Sequence, residues 1–339
     1  MSLTARFEKK TFDFKRPSGT SRGVLTQKHA WFIYLKEDDF EALGECSIIT
    51  GLSPDFVDFD QYEAKVKEVV ANISYYVLHQ EELETYPSIL FGLEMALENL
   101  KQKQELVYFP SDFTTGQLEI PINGLIWMGE KQFMYDQIQE KIAAGFDCIK
   151  MKIGAIDFEA ELELLSFIRS NFSKDEIEIR VDANGAFAPE DALEKLERLA
   201  AFDLHSIEQP IKAGQIAKMR DLCKSTPLAI ALDEELIGVY GTKRRELLET
   251  ISPQYIILKP SLHGGIVGTK AWIALAEELN IKWWMTSALE SNVGLSCIAQ
   301  LTALYNTNMY QGLGTGQLYT NNIESPLEIR KGKILTKID

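Results

Sequence analysis

Several shortages in the chain each close off a class of function. There are four cysteines, Cys46, Cys148, Cys223 and Cys297, and none forms a Cys-x-x-Cys pair. That argues against a disulfide frame or a thiolate zinc site and reads as reduced thiols in a cytoplasmic protein. Positive charge is scarce: 35 Lys and Arg against 50 Asp and Glu leave a net charge of −15. A phosphate-backbone partner wants a basic face, so nucleic acid is not expected. No apolar run reaches the roughly 18 residues that cross a bilayer. The first ten residues lack the apolar core of a signal peptide, so neither export nor a membrane partner is expected. There is no low-complexity segment. No Gly-x-Gly-x-x-Gly follows the first parallel strand, which weakens a nucleotide-binding doubly wound sheet, the runner-up fold.

What remains is ordinary for an enzyme, with 45% hydrophobic and 25% charged residues. The 339 residues suit two domains, or one large barrel with an appendage. Residues 5–15, 23–36 and 41–49 are rich in Phe, Thr, Val, Ile and Trp and read as strands. The stretch between the first two, Arg16 to Gly23, is small and polar and reads as a loop. Residues 60–78 and 88–103 carry apolar side chains at helical spacing. Strands followed by helices make an α+β module over residues 1–115.

From about residue 118 the rhythm changes. Strand-like segments at 118–128, 148–153, 177–183, 206–208, 228–232, 255–259, 282–286 and 309–313 alternate with seven helical stretches. That alternation implies parallel strands with crossover helices. Eight strands and seven helices predict an α/β fold, a (β/α)7β TIM-like barrel over residues 116–314, capped by the N-terminal α+β domain. Residues 315–339 are expected to return to the capping domain, with a hairpin turning at Gly332.

The chemistry sits at the strand ends. Lys150 and Lys152 lie two apart in Ile149-Lys150-Met151-Lys152-Ile153, so in a strand they share a face. Buried cations need anions nearby. These follow in phase: Asp182, Glu208, Asp233 and Lys259 come at intervals of 25 or 26 residues, and Ser287 follows one unit on. A single Asp after a strand is more often a helix cap or turn former. One polar residue per unit, always at the carboxyl end, places them all at the mouth where barrel active sites are found. Three adjacent carboxylates repel unless a cation holds them, and an oxygen-only set suits a hard ion such as Mg²⁺. The flanking lysines then suit general-base work.

These motifs, Lys150-Met-Lys152, Asp182-Ala-Asn184-Gly185, Glu208-Gln-Pro210, Leu232-Asp233-Glu234 and Lys259-Pro-Ser-Leu-His-Gly-Gly265, resemble the enolase superfamily, muconate-lactonising subgroup. Residues 18–24, 283–294 and 312–316 narrow the resemblance to its o-succinylbenzoate synthase branch. It implies Asp182, Glu208 and Asp233 as Mg²⁺ ligands, with Mn²⁺ a substitute. It implies Lys152 as the general base, Lys150 as the neighbour that keeps the pKa of Lys152 low, and Lys259 as the cation on the opposite face. Asn184 and Glu234 would orient them from behind. Substrate contacts are expected from Ser287, Ser291, Asn292 and Gly312, and from Arg22 on a loop closing over the mouth. The partner would be a small-molecule carboxylate, and oligomeric state is not readable. Three functions stay open: a dehydratase, a racemase or epimerase using the same lysine pair, and a non-catalytic barrel. Dipeptide epimerases of this superfamily carry Asp-x-Asp at the eighth strand, where this chain reads Gln311-Gly-Leu-Gly-Thr-Gly316.

Overall fold

Alternating Phe, Trp, Ile and Leu make the first three strands one-sided, and they pair into an antiparallel sheet. It runs β1 (Thr4–Thr20), β2 (Gly23–Glu37), β3 (Phe40–Ser47). The structure, a computed structural model, describes residues 3–20, 23–305 and 307–338, with the side chains of 18–20 excepted. Helices α1 (Phe59–Ala71), α2 (Ile73–Leu78) and α3 (Pro87–Gln102) cover the sheet. The expected single helix over 60–78 breaks at Asn72, whose side-chain amide donates to the Glu68 carbonyl and competes with the helix ladder. Trp31, Ile33 and Leu35 pack with Tyr62, Val66 and Ile89 in a cluster of their own.

Within the polar stretch expected as a loop, residues 16–20 and Gly23 are strand. There β1 and β2 run on as a long antiparallel arm, with a register shift between Asp13 and Ser18. The C-terminal segment supports the arm. The Lys15 amide donates to the Leu318 carbonyl (2.8 Å), and the Phe14 ring meets Tyr319 edge-on. The expected role of Arg22 lies outside the described residues.

After the short β4 (Ile120–Pro121) comes the parallel sheet. Its strands are β5 (Gly124–Ile126), β6 (Cys148–Lys152), β7 (Glu178–Asp182), β8 (Ser206–Glu208), β9 (Ile230–Leu232), β10 (Tyr255–Leu258) and β11 (Lys282–Met285). They pair in strict sequential order. The crossovers are α4 (Lys131–Ala143), α5 (Phe158–Asn171), α6 (Pro189–Ala200), α7 (Ile216–Ser225), α8 (Lys243–Ile251) and α9 (Gly265–Glu278). A last helix, α10 (Asn292–Ala303), follows β11. The eighth strand is reduced to two single bridges, Ile122 with Gln311 and Thr286 with Gly312. Gln311 covers the shortfall: its buried amide accepts from Met285 N (2.8 Å) and donates to the Met309 carbonyl (2.7 Å). Gly312 is required at this seam, because a Cβ there would overlap Thr286 Oγ1.

Below the strand ends the interior is filled. Arg180 stacks 4.3 Å from the Trp284 ring centre, donates to Glu178 (2.7 Å) and reaches the Tyr310 carbonyl. This layer gives the mouth a floor. Of the tail, Leu318 and Thr320 bond to the β1 backbone. The hairpin β12 (Leu327–Arg330) and β13 (Lys333–Thr336) instead pairs with β4. The expectation that this hairpin packs on the N-terminal module is therefore corrected. Buried Ile334 pairs with buried Ile120, and both belong to the apolar cluster that packs the barrel strands against their helices and also takes in Phe12, Phe32 and Phe91.

Two carboxylates join the modules. Glu94 of α3 accepts from the Ile266 and Val267 amides at the start of α9. Glu45 of β3 accepts from the Ser291 and Gly294 amides at the start of α10. Helix N-termini leave amides without helical partners, so each acid satisfies donors that the barrel cannot.

Candidate active site

Parallel neighbours in a sheet lie about 4.8 Å apart, so register decides which strand ends meet. Lys152 pairs with Asp182, and Asp182 with Glu208. Asp233 follows β9 and Lys259 follows β10 by one residue each. β6 and β10 stand four strands apart in the sequential sheet, which in a ring of eight is diametrically across. The two candidate lysines therefore face each other over the carboxylates.

Each lysine holds an acid. Lys152 Nζ donates to Asp182 Oδ2 (3.0 Å) and Asn184 Oδ1 (2.7 Å). Lys150 Nζ bridges Asp182 Oδ2 (3.0 Å) and Glu208 Oε2. Lys259 Nζ bonds Asp233 Oδ2. Asn184 Nδ2 in turn donates to Glu234 Oε1 (3.1 Å), so a chain runs Lys152–Asn184–Glu234. Asn184 also sits at φ 44, with its amide on Asp182 Oδ1, so it is a turn residue as well. Asn tolerates this left-handed backbone better than most residues.

Burial and charge pull the site's titrations apart. Burial alone would raise the Asp182 pKa, but Lys150 and Lys152 outweigh it and hold the carboxyl below its ordinary value. Asp233 is likewise lowered, by Lys259 against burial. Glu208 goes the other way: burial and the neighbouring Asp182 push it well above the carboxylate range. Burial disfavours the ammonium form of Lys150, but Asp182 and Glu208 more than offset this, and its pKa is raised. Lys259 is raised for the same reason, by Asp233 and Glu208.

The three expected metal ligands are neighbours, yet they do not converge on one point. Among the described residues no three His, Cys, Asp or Glu side chains form a ready ligand set. Like charges repel, and each acid has turned to an ammonium group. Two buried oxygens, Glu208 Oε1 and Asp233 Oδ1, are reached by no donor. Unsatisfied buried acceptors of this kind are rare. They belong to an all-oxygen donor set, which fits a hard cation.

Around this centre the pocket is lined by Leu25, Leu52, Trp127, Leu289 and Leu318, with Ser287 and Gly312 also on its wall. Ser287 Oγ is engaged with Thr315 Oγ1 (2.5 Å). Two expected substrate contacts are not on the wall. Ser291 caps α10, accepting from Val293 N (3.2 Å) while donating to Glu45. Asn292 donates to the Ile323 carbonyl (2.6 Å) and binds the tail. Both are used where a helix begins, the commoner fate of Ser and Asn after a strand. His263 is structural: its Nδ1 accepts from Lys259 N (3.0 Å), and burial drops its pKa to about 3. The sequence reading missed Asn123, Trp127 and Leu318, which also line the pocket. Trp127 follows β5 by one residue and so keeps the strand-end rhythm, but it carries no charge to mark it; Leu318 lies in the tail, and only folding brings it in.

Residues 134–337 match the family described as enolase C-terminal domain-like. The chain belongs to the enolase superfamily. It is 48% identical to the o-succinylbenzoate synthase of Desulfotalea psychrophila, with 94% of this chain and 95% of that one aligned. The crystal structure of MenC from the same organism superposes with a TM-score of 0.84 at 43% identity, covering 99% and 100% of the two chains. The dipeptide epimerase of Enterococcus faecalis, solved with Mg and L-Leu-L-Tyr, shares the fold alone. Its TM-score is 0.85 at 17% identity, over 100% and 98% of the chains. One frame thus carries proteins named for different activities.

Proposed function

We propose that the chain is an o-succinylbenzoate synthase. It is a carbon–oxygen lyase that dehydrates 2-succinyl-6-hydroxy-2,4-cyclohexadiene-1-carboxylate to 2-succinylbenzoate, a cytoplasmic step toward menaquinone. The observation that carries this is the pair Lys152 and Lys259 facing each other over Asp182, Glu208 and Asp233, in a chain nearly half identical to such an enzyme throughout its length. Enolase-superfamily sites use a Lys or His base with bound Mg²⁺ to stabilise the ene-diolate.

Asp182, Glu208 and Asp233 are the residues that would hold Mg²⁺, with Mn²⁺ a substitute. When bound, the ion supplies positive charge to a substrate carboxylate and acidifies its α-hydrogen. Lys152 is the base. Asn184 holds its Nζ from one side and Asp182 from the other, so the nitrogen points at the pocket with few alternatives. Lys259 stabilises the negative charge that grows on the substrate as the proton leaves. Lys150 holds Asp182 in its ionised form and ties it to Glu208. Lys152, now protonated, gives its proton to the departing β-hydroxyl. A syn elimination lets one lysine do both, and the ring becomes aromatic.

Racemisation of N-acyl amino acids is the second reading, because facing lysines can exchange a proton on either side of one carbon. The dipeptide version is the weaker one. The eighth strand offers no acid, and Gln311 is committed to the strand seam. The test is turnover of the cyclohexadiene substrate with Mg²⁺, followed by absorbance of the aromatic product. No turnover with fresh substrate discards the synthase. Exchange of the α-hydrogen of an N-succinyl amino acid in D₂O would then favour the racemase.

A further inference from the structure

The wall of the pocket after β11 is made of residues 286–289. Its backbone is unusual, since Leu289 sits at φ 62, a conformation that a side chain with a Cβ rarely adopts. Such a residue persists only where its surroundings over-determine it. The restraints come from three directions. Tyr319 from the tail donates to the Leu289 carbonyl (2.6 Å). Glu290, fully buried, accepts from Ser261 Oγ (2.5 Å), two residues past Lys259. The third set comes from the N-terminal sheet. Lys28 on β2 is 4% exposed and donates from Nζ to the Ala288 carbonyl (2.5 Å). Glu45 on β3, wholly buried, accepts from Ser291 N (2.9 Å), Ser291 Oγ (2.5 Å) and Gly294 N (2.8 Å).

The sequence makes room for this contact. A Cβ on Gly294 would lie 3.0 Å from Glu45 Oε2 and 2.7 Å from Glu290 Cβ. The charges are complementary, with the Lys28 ammonium facing both Glu45 and Glu290. Burying a lysine to hold one carbonyl costs desolvation that a fold gains nothing from unless the held segment matters. The α10 N-terminus is already satisfied by Glu45 and Ser291. Lys28 therefore acts on the pocket wall itself.

We propose that Lys28, with Glu45 beneath it, is a positioning residue for the pocket wall 286–289, so that the N-terminal sheet sets how the substrate's non-reacting part is held. This rests on the pocket being the synthase site, and it concerns binding rather than proton transfer. Lys28 touches no reacting atom. Loss of its hold raises KM and leaves the Lys152 step intact.

The experiment compares the parent with Lys28→Met, which keeps the length of the side chain and removes the charge, and with Lys28→Arg. Steady-state kinetics on the cyclohexadiene substrate are read beside backbone hydrogen exchange over residues 286–291. Lys28→Met is expected to raise KM about tenfold with kcat within about twofold, and to speed exchange in that segment about tenfold while α9 stays unchanged. Lys28→Arg is expected to recover most of both. Unchanged KM and unchanged exchange in the folded variant overturn the proposal. So does a fall in kcat alone that tracks lost folded protein. An inactive parent overturns the synthase reading instead, and the exchange measurement then decides the role of Lys28 by itself. Glu45→Gln, assayed in parallel, is expected to loosen residues 288–291 in the same way.

Discussion

Removing the Lys150 ammonium tests the electrostatic core of the site directly. Lys150 is 8% exposed and lies between Asp182 and Glu208, themselves 1% and 3% exposed. Lys150→Met preserves the stem and deletes the charge. Breaking a buried pair by removing one partner costs roughly 3–5 kcal/mol, because the remaining charge is stranded. The lower end applies. Asp182 keeps Lys152 as a partner, and Glu208, already pushed upward, escapes by taking a proton. At about 2.1 cal/mol/K per residue, the 339 residues unfold with an entropy near 0.7 kcal/mol/K, so about 3 kcal/mol lowers Tm by about 4 °C.

Differential scanning calorimetry in EDTA reads this fall. Adding Mg²⁺ then reads the fit of the acids to a cation. An ion at a hundred times its Kd stabilises by about 2.7 kcal/mol. In the variant the ion replaces a lost charge instead of competing with an ammonium group, so its Mg²⁺-induced rise exceeds the parent's. A fall below about 1 °C in EDTA would refute the claim that Lys150 neutralises the acids. Equal Mg²⁺ shifts in parent and variant would refute the claim that these acids receive the ion.

Other outcomes follow from the same geometry. Lys152→Ala is expected to lower kcat for the dehydration by about 10²–10⁴, with Tm within about 2 °C of the parent, since the part-buried lysine leaves Asp182 its bond to Lys150. Glu94 is buried, and desolvation lifts its pKa to about 7 from the ordinary 4.5. A raised carboxyl contributes stability that is fully present below pH 4.5 and is lost as pH rises through 7, by about 3 kcal/mol. Glu94→Gln should flatten urea-measured stability between pH 5 and 8 by up to that amount, and an unchanged profile would show that Glu94 is not the group. His263 has the opposite sign: its folded pKa near 3 lies below the ordinary 6.5, so its contribution is present above pH 6.5 and is lost on acidification toward 3. Gly265→Ala places a Cβ onto Glu94 Oε2 at φ 71, and should cost about 2 kcal/mol while expelling Glu94 from the α9 start. Denaturant midpoints measure it, and a neutral substitution would mean that the two modules do not meet there as described.

How much of this could be read from the residues alone follows from what each signal depends on. Lys150, Lys152, Asp182, Glu208, Asp233 and Lys259 were readable because a parallel barrel repeats, and a repeat prints its active rim at a fixed interval along the chain. Ser291 and Asn292 misled because a polar residue after a strand has two uses, at a rim or at a helix start. Which one prevails depends on Glu45, which lies 246 residues away from Ser291. Residues 16–20 read as a loop because small polar residues pair as readily as they turn when another segment supports the strands they extend. That support, Leu318 and Tyr319, lies still farther along the chain.

The same reasoning explains where the two modules divide their work. Everything that transfers or stabilises charge lies on consecutive strands, with Asn184 and Glu234 one step behind, and local register alone aligns it. The pocket wall after β11 is held in part by contacts of long sequence separation from the N-terminal sheet, Lys28 with Ala288 and Glu45 with Ser291. A change in the N-terminal sheet can therefore alter which carboxylate fits without disturbing the lysine pair, whereas a change on a strand end strikes the chemistry for every substrate at once. A frame divided in this way supports elimination in one relative and epimerisation in another, and it makes Lys28 a more informative position for substrate range than any residue on the rim.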